Sequence, residues 1–438
     1  MAGVTPGVTF DSFTSRYAQR TAGMTASEIR ALFAVASRPE VVSLAGGMPF
    51  TTALPLDAVG KLLSDLLATK GATALQYGSG QGDPELRAHI CEVMALEGVI
   101  GSPDDIVVTV GSQQALDLIT RVFIDPGDVI LAEAPSYVGA LGTFASYQAD
   151  VVHVAMDDQG LVPEALREAI ATVTAAGRRA KFLYTIPNFH NPAGTSLADS
   201  RRDEMLAICI AAGLLVIEDN PYGLLGFESP PTPAIRARGD ADVGNEHVIY
   251  LGSFSKTFAP GLRVGWVLAP HAVREKLVLA SEASVLCPPA LNQMVVTEYL
   301  STQDWQGQVE VFKGIYRERR DAMLGALTEL MPAGTTWTHP TGGFYVWTTL
   351  PEGMDAKVMQ PRAITERVAY VPGIGFYADG QGQRELRLSY CFPEPARIVE
   401  GVRRLSTVVK AELELLETFG PIASDRTLGA STPAPDLA

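Results

Sequence analysis

Lys256 stands in the stretch "GSFSKTFAPGLRVGW" (252–266), directly after the apolar run "HVIYL", and is one of only eight lysines in the chain. An amine held at the end of a buried strand is a candidate nucleophile toward a carbonyl. Ser253 and Ser255 precede it and Arg263 follows a Pro-Gly turn; hydroxyls and an arginine fork are groups that grip a phosphate. Other apolar runs also end in polar groups. Gly111-Ser112-Gln113 follows "VVTV" and opens a helix-like segment. That is either an ordinary serine cap or an anion cradle built from free N–H groups and the helix dipole. Asn191 follows "LYTIP" in the turn "NFHNPAG". Asp219 ends "LLVIE" and precedes Asn220-Pro221-Tyr222. A carboxylate there is costly without a partner, so it caps a turn or faces a cation. A ligand carrying an aldehyde, a phenolic oxygen, a pyridine nitrogen and a phosphate would use all of these groups. Pyridoxal 5′-phosphate (PLP) has them: lysine for the aldehyde, a carboxylate to keep the ring nitrogen protonated, amide and phenol for the phenolic oxygen.

The elements that would position these residues alternate along the chain. Short apolar runs at 105–111, 128–135, 150–156, 181–187, 214–219, 247–253 and 263–270 are separated by helix-like segments, most of 10–15 residues. That pattern predicts a mostly parallel sheet covered by helices, with ligands bound beyond the carboxyl ends of its strands. A long helical stretch begins near 273, and "TTWTHPTGGFYVWTTLP", "VAYVPGIGF" and "ELRLSYCF" then predict a smaller α+β domain closed by a helix from about 394. The expected division is an N-terminal segment 1–45 packing with the small domain, a large domain 46–305 and a small domain 306–418. The Pro-, Ser- and Ala-rich tail 419–438 is expected to be disordered.

Composition narrows the classes. With 438 residues, 47% hydrophobic and 19% charged, the chain is globular. A formal net charge of −15 argues against nonspecific binding to nucleic acid or to an anionic membrane. The four cysteines form no CxxC or Cys/His cluster, so no metal site is expected and a reducing, cytoplasmic setting fits. No signal peptide and no run of about 18 apolar residues is visible.

From about residue 12 to about 415 the chain resembles the fold-type I, class I/II PLP-dependent aminotransferases, and most resembles the 2-aminoadipate/kynurenine aminotransferase subgroup. "SLAGGMPF", "LQYGSGQGDPELR", "VTVGSQQALDL", "EAPSYVGAL", "IPNFHNPAG", "VIEDNPY", "YLGSFSKTFAPGLRVGW", "PTGGFYVW" and "LRLSYCF" carry the resemblance in order. It implies that Lys256 is the Schiff-base lysine and proton shuttle, and that Asp219 faces the pyridinium. Asn191 and Tyr222 would bond the phenolic oxygen. Ser112, Gln113, Ser253, Ser255 and Arg263 would form the phosphate cup, and Tyr137 would stack on the ring. Arg387 would grip the substrate α-carboxylate near Asn191 and the Gly47 backbone. Tyr77 would reach across a homodimer interface, and Arg30 would either reach a substrate side-chain carboxylate or lie on a helix surface. Two departures bear on substrate choice: His190 beside Asn191 where the subgroup often has Gln, and Asn220-Pro221 where it often has Asp-Ala.

The expected reaction is ping-pong transamination between an L-α-amino acid and a 2-oxo acid such as 2-oxoglutarate. Specificity is expected from residues 16–50 and 284–292. Apolar "SVLCPPALNQ" together with Phe10, Phe13 and Tyr17 points to an aromatic or arylglycine-like donor, whereas Arg30 points to 2-aminoadipate. A β-lyase or decarboxylase on the same fold stays open, because the cofactor residues do not separate these reactions. A PLP-dependent regulator would need a basic DNA-binding module ahead of residue 12, where none is read.

Overall fold

A computed structural model of the protein describes residues 13–24, 38–238 and 246–420. Three sheets organise it. In chain order the strands are β1 (Val42–Ser43), β2 (Ile106–Thr109), β3 (Val129–Ala134), β4 (Asp150–Asp157), β5 (Gly160–Leu161), β6 (Ala180–Thr185) and β7 (Leu215–Asp219). They continue with β8 (Val248–Ser253), β9 (Gly265–Leu268), β10 (Thr336–Trp337), β11 (Tyr345–Thr349), β12 (Val368–Ala369), β13 (Val371–Pro372) and β14 (Glu385–Ser389).

The large sheet runs β2-β9-β8-β7-β6-β3-β4-β5. β8, β7, β6, β3 and β4 are parallel, as their apolar, helix-separated sequences predict. β2 and β8 are buried along their whole length and β7 from Val216 on, and helices such as Ser112–Phe123, Pro163–Ala175 and Asp199–Ala211 set apolar faces against the sheet. The edge strand β5 is antiparallel to β4, and β9 is antiparallel to both its neighbours. The link from β8 to β9, residues 254–264, is too short for a helical crossover, so the chain turns back on itself. β2 therefore points the same way as β8, and the start of β9 returns to the edge where β8 ends.

The helical stretch after 270 is three helices, His271–Val285, Ala290–Thr302 and Trp305–Leu330. Pro288 and Pro289 separate the first two, since the residue before a proline is pushed out of the helical region. Asp304 caps the third through Gly307 N. The antiparallel sheet β10-β11-β14-β13 lies beyond, and the Pro395–Phe419 helix follows it. β1 pairs in parallel with β12, so the chain just after residue 41 is stitched to residues near 368. It continues past β14, where Ser389 N donates to Leu44 O at 2.7 Å. No helix among the described residues is long and apolar enough to cross a membrane.

Candidate active site

Parallel strands deliver their carboxyl ends to one edge. β2, β3, β6, β7 and β8 thus bring the segments after Thr109, Ala134, Thr185, Asp219 and Ser253 together, and the reversed β9 adds Arg263 from its start. A cavity of about 240 Å³ opens there. Gly47, Ser112, Gln113, Tyr137, Asn191, Asp219, Tyr222, Ser253, Ser255, Lys256, Arg263 and Arg387 all line it. Pro221, from one of the two departures, lines it as well, together with Ile186, Pro260 and Tyr345, for which the sequence suggested no role. Tyr77 does not; it is 76% exposed on the surface. Arg30 and Phe10 lie outside the described residues. Phe13 and Tyr17 are exposed, and neither they nor residues 284–292 line the cavity of their own chain.

At one end, Gly111 rather than Ser112 is the cap of the Ser112–Phe123 helix, and no side chain satisfies its first N–H groups. The ordinary serine-cap alternative is thereby removed, leaving a helix N-terminus ready for an anion. Two glycines allow the close approach. A Cβ on Gly111 (φ +78°) would lie 2.4 Å from an Arg263 guanidinium nitrogen, and a Cβ on Gly265 would lie 2.9 Å from Ser112 N. Ser253 Oγ donates to Ser255 Oγ at 2.9 Å, and Arg263 donates to Ser255 Oγ at 3.5 Å and to Val110 O at 3.2 Å. Arg263 is left-handed (φ +53°), a strained conformation for a non-glycine that aims its fork into this corner. The Gln113 side chain turns elsewhere: its Oε1 accepts from the Tyr137 hydroxyl at 3.2 Å and its Nε2 donates to Gly139 O.

In the centre, Lys256 Nζ donates to Gly47 O at 3.3 Å and lies over the Phe344 ring. Burial pushes its ammonium down to about 8, with the Cys391 thiol opposing and Arg387 and Arg263 reinforcing the shift. Asp219 is raised to about 6, again chiefly by burial, although the Tyr184 hydroxyl donates to its Oδ2 at 2.8 Å. Its Oδ1 is buried with no partner among the described residues. Such an orphan costs about 1–3 kcal/mol until a donor arrives, and a protonated ring nitrogen is such a donor. The donor set thus fits PLP: a near-neutral amine, an acceptor for a ring N–H, and a cationic, N–H-rich corner for phosphate.

The far wall holds Arg387, only 1% exposed. It donates to Asn191 Oδ1 and to Ala45 O, both at 2.8 Å, while its Nε has no partner among the described residues. With Asn191 Oδ1 engaged, the amide nitrogen of Asn191 remains free to donate. Tyr137 is pushed up to about 12 and Tyr222 well above the ordinary phenol range, both mainly by burial, so both are hydroxyl donors at neutral pH.

The two departures have structural partners. His190 is buried behind the cavity wall, its Nε2 3.1 Å from Glu133 Oε2 and its Nδ1 accepting from Ala193 N. Asn220 donates to Glu97 Oε1 at 2.7 Å and accepts from Asn188 at 2.9 Å. Glu97 is itself lifted to about 7 by burial, so an aspartate at 220 would set two buried acids face to face.

Two contacting residues escaped the sequence reading. Tyr184 reaches Asp219 because β6 pairs with β7 at Tyr184↔Ile217, which puts 184 and 219 on one face. Alternation in "KFLYTIP" holds that signal only once the strand pairing is known. Tyr345 stands in "PTGGFYVW", a stretch that carries the resemblance without giving the tyrosine a role.

The family model for class I and II aminotransferases matches residues 39–405. The aromatic-amino-acid aminotransferase 1 of Thermococcus litoralis is 40% identical over 400 residues, covering 91% of this chain and 95% of that protein. The 2-aminoadipate transaminase of Thermus thermophilus is 37% identical, covering 92% and 99%. Among solved structures, a kynurenine aminotransferase from Pyrococcus horikoshii superimposes with a TM-score of 0.87 at 37% identity, covering 92% and 99%.

Proposed function

The chain belongs to the class I and II aminotransferases, and from that premise we propose that it moves an amino group between an aromatic or 2-aminoadipate-like L-α-amino acid and a 2-oxo acid such as 2-oxoglutarate. The single observation that carries the mechanism is one cavity holding both Lys256, near neutrality, and the orphaned Asp219 Oδ1. PLP supplies an electron sink and keeps the amino group between the two half-reactions.

This chain's residues do the rest. Lys256 Nζ, held at the cavity centre by Gly47 O, would hold the cofactor aldehyde and is the base placed to move the α-proton of a bound amino acid. Asp219 Oδ1 would accept the cofactor's ring N–H, while Tyr184 holds the other oxygen. Tyr222 and the Asn191 amide would donate to the cofactor's phenolic oxygen, and Tyr137 would pack against its ring. Ser112, Ser253, Ser255, Arg263 and the first N–H groups of the Ser112–Phe123 helix, Gln113 included, would hold the phosphate. Arg387 takes the α-carboxylate, a group common to every donor, beside the Gly47 backbone.

Selectivity among donors comes from residues 16–50, with Arg30, and from residues 284–292, while a second copy of the chain delivers Tyr77 to the cofactor site in a homodimer. Both kinds of donor are kept because the relatives named above handle aromatic amino acids, 2-aminoadipate and kynurenine. The enzyme is assigned to the cytoplasm; its four cysteines are free. A panel of amino donors, scored by loss of the bound cofactor's visible absorbance, tests the substrate class. Phenylalanine-like or 2-aminoadipate donors are expected to outpace alanine and aspartate by about tenfold or more in kcat/KM. Equal rates across the panel contradict the assignment.

A further inference from the structure

Tyr345 joins three parts of the cavity wall. It opens β11 and is 3% exposed. β11 pairs with β14 at Tyr345↔Ser389 and Trp347↔Arg387, so the two-residue alternation puts Tyr345 and Arg387 on the same face. The Arg387 guanidinium carbon lies 4.2 Å from the Tyr345 ring centroid, with the Phe376 ring 5.1 Å from the same carbon. A planar cation against two rings has its plane restricted, which a fork for a carboxylate needs.

The Tyr345 hydroxyl serves the other two parts. It meets the Tyr222 side chain, whose ring stands edge to face with the Tyr345 ring at 6.2 Å between centroids. It also fills the space above Gly47: a Cβ built there would lie 2.0 Å from the Tyr345 hydroxyl oxygen, and 3.1 Å from the ring carbon that bears it. Gly47 is the residue whose carbonyl receives Lys256 Nζ.

Resting on the aminotransferase reading above, we propose that Tyr345 is a positioning residue with two separable duties: its ring sets the plane of the Arg387 fork, and its hydroxyl directs Tyr222 and the Gly47 segment. The ring duty belongs to recognition of the α-carboxylate and so to KM for every donor. The hydroxyl duty belongs to the groups around Lys256 and so to kcat.

Two variants separate these duties. Tyr345→Phe keeps the ring and deletes the hydroxyl; it is expected to leave KM within about threefold and to lower kcat about tenfold. Tyr345→Leu deletes both, and is expected to raise KM by about tenfold for all amino donors alike. A double-mutant cycle with Gly47→Ala, read as the unfolding temperature of the cofactor-free protein, tests the same geometry without substrate. Gly47→Ala is expected to lower that temperature more in the Tyr345 protein than in Tyr345→Phe, where the clashing oxygen is gone. The same KM change in both Tyr345 variants, or the same cost of Gly47→Ala in both backgrounds, overturns the assignment. Because the cycle needs no turnover, it separates a failure of this assignment from a failure of the aminotransferase reading.

Discussion

Two groups in the cavity, half-buried Lys256 and buried Asp219, are each pushed toward neutrality. The amine falls from 10.5 to about 8 and the carboxyl rises from 3.8 to about 6. The stability consequences have opposite signs. The raised carboxyl penalises the cofactor-free fold once it ionises, so the penalty grows as pH rises from 3.8 and is complete above about 6. The lowered amine penalises the fold while it is charged, so the penalty is complete below about 8 and relieved as pH rises toward 10.5. Each is worth about 3 kcal/mol at most. PLP held as proposed would engage both groups, so its stabilising effect is expected to peak between the two values. Unfolding temperatures with and without PLP across the pH range check this, and a flat difference contradicts it. Much of the site was legible at this scale because a lysine, a carboxylate and an arginine fork just after apolar strands are costly unless used. Tyr184 and Tyr345 were not legible, because a tyrosine in a strand reads as core until its partner strand is known.

Among the elements, the sheet edge does the assembling. The parallel strands were readable from β-branched runs separated by helices. The reversal of β9 was not, because nothing in "RVGWVL" states a direction; it follows from the short link after β8. That reversal carries Arg263 to the helix N-terminus, and the contact requires Gly265, whose added Cβ would meet Ser112 N at 2.9 Å and the Gly111 carbonyl carbon at 2.8 Å. Both obstacles are backbone, so neither yields cheaply. Gly265→Ala is expected to weaken PLP affinity by about tenfold or more, about 1.4 kcal/mol, measured by titrating the cofactor-free protein. Unchanged affinity means that the helix N-terminus is not part of the phosphate site. The Ser112 cap alternative was likewise undecidable from sequence, since it turns on whether Gly111 or Ser112 carries the cap geometry.

For the whole molecule, the family and its fold were legible because the motifs recur in order over most of the chain, whereas the substrate was not. The residues expected to choose it, in segments 16–50 and 284–292, include Arg30, outside the described residues, and Tyr17, exposed on its own chain. If Tyr77 completes the site of a second copy, a Tyr77→Ala variant of low activity and an inactive Lys256→Ala variant should complement one another. Random re-association of equal amounts restores about a quarter of wild-type sites, because half the dimers are hybrids and each hybrid holds one intact site. Activity that stays at the mean of the two parents places Tyr77 outside the partner's site. The central claim, that the Lys256 amine drives amino transfer, is met most directly in a single half-reaction. An amino donor is added to the PLP-loaded protein with no 2-oxo acid present, and product is counted per active site. The account predicts one equivalent of 2-oxo acid per site from the wild type, with the matching loss of visible absorbance, and a rate at least about a thousandfold slower from Lys256→Ala. Release of 2-oxo acid from Lys256→Ala at the wild-type rate would contradict it.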